Sequence, residues 1–587
     1  MKKLKRKLLF TPVALPLMAL PSITACTAAP LTKHDELINN LKNVDNPNGQ
    51  WTSVDYVATP YKNYKLYVHN PELSSYVTSN HTKAQMGELS SKLNKATSFE
   101  AKKFEKGTFV PAAQVNDGQA QAYTAVWVRD TVWNVLALYD SGKTEDADAV
   151  TTSLMKYFGT EKQIARINDV MNDPKILLEK DGASKAVHIR FDPNTLDDVY
   201  IDGKEQTWSH KQNDALGLSI SLFIDFASKN LNNVEKWPTQ AEDMKTLVRL
   251  IAYLNRAEFW NMEDSGAWEE GEKISCSSIG CVVGAFQKVL NAKTYVSGFK
   301  EAYDAAQDAL GENYKSYSKY DDTVSLTNPN AVGINNGIAH AYMDTIKISI
   351  EKGGEAVRYA KTDEEYREGD AAMLDLIYPY KIQDYSYTNN DEKYEYNINS
   401  RIKILETVEA NNNDFGIIRY KDDTYQCSDF WFANIPTDVT EETFKKRKNL
   451  FLEGSEASWF FDSWMAICYG EVIKEHFDNV QYNTDHPAWS QKITLPSTQL
   501  AWLENKMHYH INKALAFVNK SGAYRANGTI VEGDVASIPE SYTVVTINRT
   551  DAASDWYRLA SPVDPLRWAQ SSLSLMINYF KNSSLIN

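Results

Sequence analysis

The sequence predicts an all-α fold, and three observations carry that expectation. From residue 123 onward, long stretches repeat apolar residues at helical spacing, enough for about a dozen helices. Polar loops bearing aromatics or carboxylates separate these stretches. No run of strand-like alternation competes with them.

The N-terminus reads as a targeting segment rather than as part of the fold. Lys2, Lys3, Lys5, Arg6 and Lys7 precede an apolar run over 8–20 and small residues over 22–25, the pattern of a secretory signal over 1–25. Ile23-Thr24-Ala25-Cys26 resembles a bacterial lipobox, in which cleavage leaves Cys26 as a lipid-modified N-terminus, so the expected protein is exported and membrane-anchored. The apolar run is too short and too interrupted by proline to span a bilayer. Residues 26–48 form a polar tether with a short helix near 35–41. Residues 49–110 form a lead-in with a helical segment over 86–97, read either as a small module or as the first helix of the main domain over 111–587.

Within that domain, helical spacing covers 131–139, 214–226, 241–259, 278–290, 295–310, 364–376, 457–473, 497–517 and 571–580. Asp146-Ala147-Asp148 and Thr362-Asp363-Glu364-Glu365 place acids in first turns, and Ser497 after Pro496 is a candidate cap. Two polar insertions interrupt the rhythm: a charged loop over 390–397, and 428–452 with Pro436 and Lys445-Lys446-Arg447-Lys448, which reads as a solvated helix face.

Composition narrows the function. The formal charge of −15 argues against nucleic acid or an anionic membrane surface as a partner and suits a neutral polysaccharide. With 33 Tyr and 14 Trp, many rings fill the core and some are available to stack on sugars. Of the five cysteines, Cys276 and Cys281 stand close enough in sequence to bridge, and Cys468 lies in a buried-helix pattern. No CxxC or HxxxH pattern points to a metal, and no cofactor is expected.

The chemistry concentrates in Gly266-Ala267-Trp268-Glu269-Glu270-Gly271-Glu272-Lys273. A glycosidase needs one carboxylic acid kept protonated near neutral pH, and an indole wall beside a carboxyl raises its pKa by desolvation. Glu269, directly after Trp268, fits that task.

Four further segments occur in the order found in one family. They are Trp127-Val128-Arg129-Asp130; Trp208-Ser209-His210-Lys211-Gln212-Asn213-Asp214; Arg419-Tyr420-Lys421-Asp422-Asp423-Thr424-Tyr425; and Ile538-Pro539-Glu540 followed by Pro565-Leu566-Arg567-Trp568-Ala569. Together with Trp268-Glu269-Glu270 they resemble the glucoamylases, glycoside hydrolase family 15, and the related alpha and beta subunits of phosphorylase kinase. The resemblance implies an (α/α)6 barrel and inverting hydrolysis with Glu269 as acid and Glu540 as base, their carboxyls roughly 6.5 to 9.5 Å apart. It also implies that Arg129 and Asp130 grip the terminal glucose of an α-glucan or oligosaccharide in a dead-end pocket, which gives exo action. Tyr123 and Trp127 would face that sugar, Trp208 would stack on it, and His210, Gln212 and Asp214 would supply polar contacts. Arg419 would contact the first glucose, Glu270 its neighbour, and Trp568 would line the pocket. The chain departs from the fungal enzymes at His210-Lys211, where they carry Arg-Pro, and this leaves linkage and chain length open. The competing readings are a non-catalytic regulatory or glucan-binding barrel, and a polysaccharide lyase, which would need a Tyr or His base and usually a basic pocket.

Overall fold

The structure, a computed structural model, describes residues 32–42, 51–58, 62–113, 122–320, 324, 332–355, 367–389, 392–435, 440–532, 536–547 and 556–587. The expected signal segment, Cys26, the helix start at Thr362-Asp363-Glu364-Glu365 and Pro436 lie outside the described residues.

Six inner helical segments form a closed ring. They are Val128–Asp140, Asn213–Asn230, Cys276–Tyr295, the 3₁₀ segment Ala371–Leu376, Asp462–Asp485 and Arg567–Asn582; each packs on the next, and the last returns to the first. Outer helices alternate with them along the chain: Lys83–Lys92, Thr144–Phe158, Gln240–Arg256, the run Ile334–His340 to Lys347–Lys352, Ile398–Glu409 and Ser497–Ala516. The protein is an (α/α)6 barrel, as its helical rhythm and motif order predict. Lys83–Lys92, from the lead-in, supplies the outer partner of Arg567–Asn582.

Sequence explains which helices are inside. Asn213–Asn230 buries residues on every side, including Asn213, Asp214, Ser219 and Ser221, whereas Gln240–Arg256 buries a stripe and leaves Glu242 in solvent. At Gly217 a side-chain carbon would stand 2.5 Å from the Cys281 carbonyl carbon, so only glycine lets these two inner helices approach so closely. Cys276 and Cys281 share the Cys276–Tyr295 helix as free, buried thiols. Five residues turn a helix by about 140° beyond a full circle, so the two sulfurs leave on different faces and the two cysteines, close in sequence, are not bridged.

Several elements differ from expectation. The 457–473 stretch begins its helix only at Asp462, because Ser458–Trp459 is a strand. It belongs to a five-stranded antiparallel sheet with Asn412–Asn413, Gly416–Ile417, Ser541–Thr546 and Trp556–Ala560. Ser541–Thr546 is buried at every position, so it shows no alternation by which a sequence reading could find it. The 390–397 loop is partly the second strand, Glu392–Tyr396, of a hairpin, and Thr52–Ala58 pairs with Lys62–Val68 in the lead-in. Of 364–376, Ala371–Leu376 forms a 3₁₀ segment and residues 367–370 are not helical. The 295–310 helix starts at Phe299, after Gly298 at φ 82°. Ser497 opens its helix without a side-chain capping bond. Lys445 and Lys446 are solvated as expected, paired with Glu441 and Glu442 at 2.6 and 2.8 Å, but Arg447 turns inward. Among the described residues no helix is long and apolar enough to cross a membrane.

Candidate active site

The loops that lead into five of the six inner segments converge on one pocket. Ala122 to Asp130 come from the first such entry, Trp208 from the second, Ala267 to Glu270 from the third, Trp459 and Phe460 from the fifth, and Leu566 and Trp568 from the sixth. Ahead of the fourth, the Asp370 carboxylate accepts a 2.6 Å hydrogen bond from the Trp268 indole and so holds that ring against the site.

Glu269 follows the 3₁₀ turn Gly266–Trp268 in the left-handed region, φ 59°, uncommon for a residue with a side chain. Its carboxylate accepts from Trp127 Nε1 at 3.2 Å and from Gln212 Nε2 at 3.2 Å, with Arg129 Nη1 3.6 Å away. Burial raises its pKa above the usual glutamate range, while Arg129, Arg190 and the two hydrogen bonds pull it back.

Across the pocket, Glu540 stands just before the Ser541–Thr546 strand. The Tyr123 hydroxyl donates to its two oxygens at 3.0 and 3.1 Å, and Gln426 Nε2 donates to Oε2. Burial pushes this carboxyl up to about 7, against those hydrogen bonds and Arg419, and Asp130 adds to the rise. Asp130 itself lines the pocket and is lifted by burial to about 7, with Arg129 opposing and Glu269 assisting.

Arg129 has partners inside the protein. Its Nε donates to Asp214 Oδ2 at 2.5 Å, and its Nη2 donates to Gln212 Oε1 and to the Gly266 carbonyl. Asp214 is fully buried beneath it and does not reach the pocket. In the structure Asp214 lies behind the pocket lining, where it anchors the guanidinium that stands beside Glu269. His210 is also displaced from its expected place. Its ring stacks on His188 at 3.6 Å between centroids, and Nδ1 lies 3.4 Å from the Ile189 amide, away from the pocket lining.

Glu270 lines the pocket at the centre of a cationic cluster. Burial alone would raise its pKa, but Arg419, Arg367, Arg447 and the Tyr420 hydroxyl outweigh burial and hold it well below the carboxylate range. Arg419 also grips Asp423 with two bonds of 2.6 Å and lies over the rings of Trp459 and Tyr425. Tyr123, Trp127, Trp208 and Trp568 all line the pocket, with Trp127 and Trp208 edge to face at 5.6 Å.

Sequence reading missed Arg190, Gln426, Arg447 and Trp459. Arg190 is buried, with its guanidinium 4.5 Å from the Trp127 ring and 4.0 Å from the Trp208 ring, so it fixes both indoles. None of the four carries a local motif; each reaches the site through the tertiary fold alone.

Among the described residues, His188, Asp198 and His210 are near enough to share an ion. His188, however, engages Asp198 through Nδ1 at 2.7 Å and the Ser184 carbonyl through Nε2 at 3.0 Å, and the two imidazoles lie parallel at 10°. Their lone pairs lie in the ring planes and do not converge on a common point.

A family profile described as Glycosyl hydrolases family 15 matches residues 94–526, most of the chain and the greater part of the pocket. The chain belongs to glycosyl hydrolases family 15. This family-15 chain is 35% identical over 257 residues to the uncharacterized lipoprotein YgeQ of Escherichia coli K12, covering 42% of this chain and 97% of that one. Among solved structures it is similar to a wild-type glycosidase at 13% identity, TM-score 0.43, over 86% of this chain and 98% of the other. It is similar also to the glucoamylase of Saccharomycopsis fibuligera at 14% identity, TM-score 0.36, over 90% and 98%. A bacterial glucoamylase complexed with acarbose aligns at 12% identity, TM-score 0.36, over 78% of this chain and 49% of that one. As a member of family 15, the chain is a glycoside hydrolase by descent, and the side chains of Asp130, Glu269, Glu270 and Glu540 line its pocket.

Proposed function

We propose that this family-15 chain is an exported, lipid-anchored hydrolase that releases glucose, with inversion, from the non-reducing ends of maltooligosaccharides or related α-glucans. The observation that carries the reading is the pair Glu269 and Glu540, one half-buried and one buried carboxyl lining the same pocket, both raised in pKa by desolvation. Two carboxyls on one pocket, each raised by desolvation, are the acid and base that a single-step inverting displacement demands. Glu269 protonates the departing glycosidic oxygen. Glu540, held by Tyr123 and Gln426, takes a proton from the attacking water. Asp130, for which no described side chain supplies a hydrogen bond, is left to bind sugar hydroxyls, and Trp127, Trp208 and Trp568 wall the ring. The Cys26 lipobox supports anchoring, and the relative's name as a lipoprotein agrees with it.

The test follows glucose release from maltopentaose and isomaltotriose by proton NMR. β-Glucose appearing first supports inversion and reveals the linkage, whereas α-glucose first rejects the mechanism. Glu269→Gln should lose these substrates but keep more of its turnover of α-glucosyl fluoride, whose leaving group needs no proton; Glu540→Gln should lose both. No release with sugar binding retained would instead support a non-catalytic binding barrel.

A further inference from the structure

Arg447 enters the pocket from the Glu441–Leu450 helix, whose opposite face carries exposed Glu441, Glu442, Lys445 and Lys446. It therefore reaches in from the rim. Only 5% of the residue is exposed, yet among the described residues its guanidinium makes no hydrogen bond, and its buried Nε has no acceptor. The carboxylate within ion-pair reach is Glu270, 3.7 Å from Nη1. Glu270 is already engaged by Arg419 at 2.8 Å, by Arg367 at 2.7 Å and by the Tyr420 hydroxyl. Arg419 has Asp423 as its own counter-ion, and Arg367 stands 3.7 Å from Asp370. Of the three cations meeting at Glu270, Arg447 is the one without a carboxylate of its own among the described residues.

A guanidinium taken out of water needs an acceptor, and this one faces the space a ligand would fill. Sugar hydroxyls would satisfy its N–H groups but leave its charge unmatched, whereas a carboxylate matches both in a bidentate pair. A dianion such as a phosphate is disfavoured, because Asp130, Glu269, Glu270 and Glu540 line the same pocket. We infer that Arg447 is a specificity-determining residue that receives a carboxylate on the leaving-group side of the scissile bond, so that the preferred substrate class is an α-glucoside of an acidic sugar. The placement on the leaving-group side rests on the exo-hydrolase reading above.

The experiment uses the Glu269→Gln protein and two matched ligand pairs, maltobionate against maltitol and isomaltobionate against isomaltitol, which differ within each pair by a carboxylate in place of a hydroxymethyl group. Calorimetric titration should show the acidic partner of one pair binding about tenfold tighter or more, the yield of one charge-assisted hydrogen-bonded pair. Adding Arg447→Gln should bring that ratio close to one, and Arg447→Lys should restore part of it. Equal binding within both pairs, tighter binding of the neutral ligands, or no binding of any at millimolar concentration overturns the inference without recourse to the variants at Arg447. Glucose release by the unsubstituted protein is read separately: acidic preference without hydrolysis would sink the hydrolase proposal and leave the carboxylate assignment standing.

Discussion

Tyr123 and Glu540 lie 417 residues apart in the chain, and one phenolic hydroxyl meets both oxygens of the carboxylate at 3.0 and 3.1 Å. The same hydroxyl lies 2.8 Å from that of Tyr425. Tyr123→Phe removes this donor while keeping the ring between Trp127 and the pocket. A hydrogen bond to a charged group contributes about 1.5–3 kcal/mol, so kcat/KM should fall roughly 10- to 100-fold. Losing a donor that favours the ionised form should also move the acidic limb of the pH–rate profile to higher pH. An unmoved limb would detach Tyr123 from Glu540.

Glu540 links activity to stability. Its pKa rises from 4.5 to about 7 in the folded protein, so between those values the folded state holds a proton the unfolded chain has released. Stability from this group is complete below about pH 4.5 and is lost as pH rises through about 7. Glu540→Gln removes the buried charge, and the variant should melt higher than the parent at pH 8 but not at pH 4.5, by up to about 3 kcal/mol from the size of the shift. Thermal melts at the two pH values decide it; equal differences at both would show that Glu540 does not titrate as described.

Asp214 anchors Arg129 from below, and both are buried. Asp214→Ala leaves a buried guanidinium without its main counter-ion, a change that costs about 3–5 kcal/mol. The midpoint of denaturant unfolding should drop accordingly, and activity at low temperature should fall as well, since Arg129 also stands beside Glu269. A variant as stable as the parent would show that solvent or Glu269 replaces Asp214.

Gly217 tests the closure of the ring. Alanine there would place a carbon 2.5 Å from the Cys281 backbone, so Gly217→Ala should destabilise the fold by about 1–3 kcal/mol although alanine is the better helix former. A gain in melting temperature would mean that the two inner helices separate readily.

The parts legible in the sequence were those with a period or a local motif. The Asn213–Asn230 and Ser497–Ala516 helices announce themselves by spacing, and Trp268-Glu269-Glu270 by composition. The Ser541–Thr546 strand does not, because full burial erases alternation. Arg447 sat within a basic run whose neighbours are indeed solvated, and nothing local distinguishes the one side chain that turns inward. His210 and Asp214 lie in the segment of a true site block, yet on a helix entry only some side chains can face the pocket, and these two face away from it. Motif membership places a segment at a site; the direction of each side chain is decided by the packing around it.

The ring is completed only when Arg567–Asn582 docks between Val128–Asp140 and Asp462–Asp485. Arg567–Asn582 is thus the keystone of the ring, and the Glu540 carboxylate is made long after the Tyr123 that it meets. Until that helix docks, the ring stays open and the pocket lacks the Trp568 wall.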